Sequence, residues 1–158
     1  MDTSLILLLQ EYLNYETAKV RENSVNTMSS NLKSLGLRVG EKVMLKLTSA
    51  VPFTRTKDIP AASKFFLDTF WEAMFGKKVE RISLTDKNRL TFSDQDFELI
   101  SRISSRSSDS KVLQENCKNL VRHIIEGAMG VLFLRCDIDI VIEGKGVQFT
   151  IDINEIVT

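Results

Sequence analysis

Histidine occurs once in this chain of 158 residues, cysteine twice, proline twice and tryptophan once. Each shortage excludes a class of chemistry. With a single histidine, His123, there is no His-rich metal cluster, and no nucleophile motif such as G-x-S-x-G stands near it. We read His123 as a boundary residue of a helix and not as a general base. Two cysteines, Cys117 and Cys136, are too few for a disulfide framework and have no companion at zinc-ligand spacing. Both are expected to be buried, in a chain kept in a reducing, intracellular compartment. Charge of one sign is lacking as well: 21 basic residues face 21 acidic ones. No basic excess points to nucleic acid or to an anionic membrane surface.

Long hydrophobic runs are absent too. Leu5-Ile6-Leu7-Leu8-Leu9 is the longest apolar start, but Asp2 precedes it and Gln10, Glu11 and Asn14 follow. That is short of the roughly 18 residues of a membrane span, and it has no basic n-region of a signal peptide. The expectation is an amphipathic helix over residues 3–22, with the mature chain starting near Met1. Phosphate-binding loops are missing: Gly144-Lys145-Gly146 fits neither the P-loop nor the dinucleotide pattern. No cofactor is expected, no catalytic residue is assigned, and the chain is read as a non-enzyme.

What is present is ordinary globular composition, 43% hydrophobic and 27% charged, in a length that suits one domain over residues 1–158. Val25, Met28, Leu32, Leu35, Val39, Val43 and Leu47 recur at helical spacing. Gly36 and Gly40 sit four apart beside this stripe. Glycine inside a helix costs about 1 kcal/mol relative to alanine. Either the glycines admit another backbone at close range, or one helix ends at Gly36 and another begins after it. Residues 49–60 hold both prolines and read as a loop. A third helix is expected over residues 61–75, with Phe65, Phe66, Phe70 and Trp71 on its apolar side and Gly76 as its stop.

Residues 78–100 read as a hairpin about Thr85-Asp86-Lys87-Asn88, and the serine-rich 101–111 as a loop. A fourth helix is expected over 112–134. Cys136, Ile138, Ile140 and Ile142 then alternate with polar residues, as do Val147, Phe149, Ile151 and Ile153, around a Gly-Lys-Gly turn. Asp137 and Asp139 share one strand face and are read as solvated. The order α-α-α-β-β-α-β-β implies an α+β fold: an antiparallel four-stranded sheet with four helices on one face.

Three segments in order resemble a known family. Leu32-Lys33-Ser34-Leu35-Gly36-Leu37-Arg38-Val39-Gly40 is similar to the L-x-x-L/M-G-F/L/Q-x-I/V-G stretch of the small subunits of TRAPP, the transport protein particle. Phe70-Trp71-Glu72-Ala73-Met74-Phe75-Gly76-Lys77-Lys78 resembles that family's F-W-x-x-L/V-F-G/K-K block. Ile125-Glu126-Gly127-Ala128-Met129-Gly130 resembles its fourth-helix motif, with Glu126 where the family carries arginine. Phe92 to Ile100 is most similar to the subunit-six branch, with the subunit-five branch close behind.

The resemblance implies a continuous second helix from about Ser24 to Thr48. It implies a scaffold subunit that pairs through its first two helices with sister subunits, including the acyl-carrying one, in a complex that tethers vesicles in endoplasmic reticulum–Golgi traffic and promotes exchange on a Rab-type GTPase. The chain itself is then cytoplasmic, peripheral to Golgi membranes, in contact with membrane only through the complex, and able to form a homodimer in isolation. The acyl-bearing cysteine of the companion lies in the loop after helix two; here Ser49 to Pro60 has none. The interface expected from stripe and resemblance together comprises Leu5, Leu8, Leu9, Tyr12, Met28, Leu32, Leu35, Gly36, Val39, Gly40 and Val43. A sensor domain with an apolar pocket for a small molecule is the competing expectation.

Overall fold

The computed structural model describes residues 3–19, 25–50, 58–101 and 110–156. The expected loops fall largely outside them, at 51–57 and 102–109. Helix α1 spans Thr3–Lys19 and α2 spans Val25–Ala50, unbroken through both glycines. A third helical stretch opens at α3, Ile59–Phe65, where the Asp58 carboxylate accepts the N–H of Ala61 at 3.4 Å. It widens into a π-helical turn, Phe66–Trp71, and closes as α4, Glu72–Phe75. Gly76 stops it in the left-handed conformation, φ 82°, its N–H donating to the Glu72 carbonyl at 2.8 Å.

Strands β1, Glu80–Leu84, and β2, Arg89–Asp94, form the first hairpin. The expected hairpin over 78–100 is shorter than its span, because β2 ends at Asp94 and a four-residue helix α5, Glu98–Ser101, follows. The physical reason lies at Asp94. Its buried carboxylate takes the N–H of Asp96 at 3.2 Å and the ammonium of Lys77 at 2.6 Å, and this turns the chain out of the strand. Phe97, Leu99 and Ile100 then bury at helical rather than alternating spacing.

Helix α6 spans Ser110–Val131, and β3, Leu134–Glu143, and β4, Gly146–Ile156, close the chain. The β3–β4 loop is the two-residue Gly144-Lys145, with Gly144 at φ 63° as the first central residue. All pairs are antiparallel in the order β1-β2-β4-β3.

The sheet's inner face presents Leu90, Phe92, Ile140, Val147, Phe149 and Ile151 to the helices, all buried. Its outer face carries Arg89, Asp137, Asp139 and Gln148, all exposed. The expected solvated pair Asp137 and Asp139 is on that outer face, with Asn154 donating to Asp137 at 2.7 Å.

Between the layers sits an aromatic cluster. Trp71 meets Phe92 and Phe149 edge-on at 5.0 and 4.8 Å, and Phe92 stacks on Phe149 at 4.9 Å. The π-helical turn helps fill this layer, since four of its residues, Phe66, Leu67, Phe70 and Trp71, are buried. Cys117 lies in this core, as expected; Cys136 departs from expectation and is half-buried at the start of β3, the first residue after a register shift in the ladder.

Candidate protein-interaction surface

Helix α1 carries two apolar lines. Ile6, Leu9 and Leu13, spaced by three and four, turn inward and are 1–3% exposed. Leu5, Leu8, Tyr12 and Tyr15 repeat the same spacing one residue earlier; Leu8 and Tyr15 are exposed, while Leu5 and Tyr12 are half-buried at the edge of the core. Leu8 and Tyr15 are each 61% exposed, with Leu7 beside them at 45%. A helix that only covers its own core needs one such line; the second is the pattern of a helix with neighbours on two sides. The inner line rests on α5 and α6, where the Gln10 amide also donates to the Leu99 carbonyl at 3.4 Å.

Helix α2 is divided differently. Its buried line is Leu32, Gly36, Gly40 and Met44, one residue per turn, lying along α6. A Cβ on Gly36 would come within 2.6 Å of the His123 Cβ, and one on Gly40 would overlap the Ile124 carbonyl. From the other helix, a Cβ on Gly127 would overlap the Leu37 carbonyl. The notch is therefore reciprocal and internal, and it answers the question of break or close approach in favour of close approach. Leu35, Val39 and Val43 flank this line, half-buried against the core.

The eleven expected interface residues thus fall into groups that the structure does not bring together. Leu5, Leu8 and Tyr12 lie on the outer line of α1, and Leu35, Val39 and Val43 on the flank of α2. Leu9, Leu32, Gly36 and Gly40 turn into this chain's own core, so side-chain contact with a partner is closed to them in this fold. Met28 lies on α2, but its side chain is outside the described residues. Outside the expected eleven, Leu7, Tyr15 and Leu45 are also exposed, by 45%, 61% and 41%. The three-four spacing of Leu5, Leu8, Tyr12 and Tyr15 was the available signal for Tyr15.

The reactive groups are committed elsewhere. His123 sits at the α2–α6 crossing, with Nδ1 3.1 Å from the Glu126 carboxylate. Burial pushes the thiols of Cys117 and Cys136 up to about 12, with Glu126 and Asp137 adding to the effect at Cys136. Among the described residues no group of three or more histidine, cysteine or acidic side chains is placed to hold a metal ion.

The family model of transport protein particle (TRAPP) components matches residues 5–154. No curated protein matches in sequence. The fold is similar to the crystal structure of a trafficking protein particle complex subunit 3 from Naegleria fowleri, covalently bound to palmitic acid. That likeness has a TM-score of 0.76 at 10% sequence identity and covers 99% of each chain.

Proposed function

The chain belongs to the transport protein particle (TRAPP) component family, and we propose that it is a non-catalytic scaffold subunit of that vesicle-tethering complex, acting by pairing with a sister subunit. The observation that carries this reading is the outward apolar line of α1, Leu5, Leu8, Tyr12 and Tyr15, which the chain's own core leaves exposed or half-exposed. An apolar helix face of this kind marks a protein partner. Leu35, Val39 and Val43 on α2 are half-buried against this chain's own core and belong to a separate flank. The acyl-carrying sister subunit is the partner of first choice, and exchange on a Rab-type GTPase is an activity of the assembly to which this chain lends geometry. The similarity of Phe92 to Ile100 to the subunit-six branch supports reading the chain as a member of that branch. Attachment to Golgi membranes would be peripheral: among the described residues no helix is long and apolar enough to cross a membrane.

The palmitic acid in the Naegleria fowleri subunit belongs to that protein. An acyl chain is taken up by a thiolate, and both thiols here are held protonated at neutral pH. That supports leaving the acyl group on the sister.

The test is pairing with the acyl-carrying sister subunit, measured by sedimentation velocity and titration calorimetry. Leu8→Glu and Tyr15→Glu are each expected to weaken it at least about tenfold while leaving the melting temperature of the isolated chain unchanged within a degree or two. Undiminished pairing by both variants would overturn the assignment of this surface.

A further inference from the structure

Helix α6 ends unlike α4. Where α4 stops at Gly76, the residue that closes α6 in the left-handed conformation is Phe133, at φ 60°, its N–H donating to the Gly130 carbonyl at 3.0 Å. Bulky side chains rarely adopt that conformation, and an observed exception points to a role for the side chain. Phe133 is 40% exposed. It stands between two adjoining hollows of about 490 and 380 Å³ on the side of α2 opposite the Leu35–Val43 flank. Leu37 and the 41%-exposed Leu45 form the α2 wall, and Gly130 forms the floor. A Cβ on Gly130 would meet nothing within 4 Å, in contrast to the tight notches at Gly36, Gly40 and Gly127. That glycine opens space without serving the packing of this chain.

The larger hollow has only two charged lining residues, Glu41 and Glu126, both acidic, with Glu126 also 3.1 Å from His123 Nδ1; Arg135 lines only the smaller hollow, on the β3 side. Two copies meeting face to face through the larger hollow would set these carboxylates against their own kind. Charge complementarity selects instead a partner with basic residues beside its apolar ones. We infer that this groove docks a short amphipathic helix of a partner protein, with apolar anchors at i and i+3 or i+4 seated against Leu37, Leu45 and Phe133, and Lys or Arg toward Glu41 and Glu126. The site is separate from the α1 surface, so the chain can hold a sister subunit and a second partner at once.

Gly130→Leu separates this role from folding. It improves helix propensity, has room for its side chain and fills the groove. The experiment selects peptides of roughly 12 residues, about three helical turns, from a displayed library on the full chain, then measures the selected peptide by fluorescence anisotropy. The expected sequences carry an apolar pair at helical spacing with flanking Lys or Arg. Gly130→Leu should melt no lower than the parent and weaken the peptide at least about tenfold. Phe133→Asn, which keeps a residue tolerant of the left-handed conformation, should do the same, and Glu41→Lys should weaken binding with loss of its salt dependence. Sister-subunit pairing should be unchanged by Gly130→Leu. Three results would overturn the inference: no such peptides from the parent chain, selected peptides that bind the Gly130→Leu and Glu41→Lys variants as tightly as the parent, or loss of sister pairing by Gly130→Leu, which would make the groove part of that interface.

Discussion

Helices α1 and α2 each bury one apolar line and carry a second beside it, and the two helices fill their inner lines in opposite ways. On α1 the inner line is made of large residues, Ile6, Leu9 and Leu13, which reach across to α5 and α6. On α2 the middle of the inner line is Gly36 and Gly40, and contact is made by backbone. Side-chain contacts can adjust rotamers when one member changes; backbone contacts cannot. The same apolar spacing therefore has different tolerance on the two helices, and the second lines, exposed or half-buried, should tolerate change best in the isolated chain.

The hardest way to strain this comparison is Gly40→Leu. A side chain there would displace α2 from α6 along its length, and a loss of about 3 kcal/mol or more is expected, read as a fall in the urea midpoint or as failure to fold. A variant that melts like the parent would mean that α2 can move away from α6 at little cost. Leu9→Ala comes next: it empties a buried position of the α1 inner line and should cost about 2–4 kcal/mol, with the α1 outer face unchanged. Leu8→Ala, one residue away, is expected within about 0.5 kcal/mol of the parent in the same denaturation experiment. If Leu8 and Leu9 proved equally costly, the two-line description of α1 would be wrong.

The smallest effect is expected on the sheet's outer face. Arg89 lies 2.7 Å from the Asp152 carboxylate and holds it below the usual carboxylate range. A depressed folded value contributes stability that is present above the unfolded carboxylate value and is lost as pH falls through the folded one. Arg89→Gln should therefore lower the melting temperature slightly at pH 7 and not at all once the pH is low enough to protonate Asp152. A variant whose deficit persists in acid would show that Arg89 acts by packing rather than by charge.

Much of the fold was legible because it rests on period. Val147, Phe149, Ile151 and Ile153 alternate with polar residues, and strand β4 buries all four. Cys117, Leu120, Val121 and Ile124 recur at helical spacing, and α6 buries them. The span 95–101 was not legible, since α5 depends on how the Asp94 carboxylate binds the Asp96 N–H and Lys77. The interface was legible in part. Periodicity finds apolar faces, but it does not say which of two adjacent lines, one residue apart, turns inward. Leu8 and Leu9 are the same residue type in the same run, and their exposures of 61% and 3% come from where α6 lies.

By itself, then, the sequence determined the element order and the apolar faces, because these depend on local spacing, and it left Gly36 and Gly40 as either a helix break or a place of close approach. Only the tertiary structure decided what approaches the notch. Ile124 and Ala128 of this chain's own α6 occupy the space at Gly40, and Leu37 closes over Gly127 from the other side. A missing side chain permits a close neighbour, as at Gly40, but does not require one, as Gly130 shows; whether one comes near is set by chain segments more than 80 residues away in sequence, and local spacing carries no information about them.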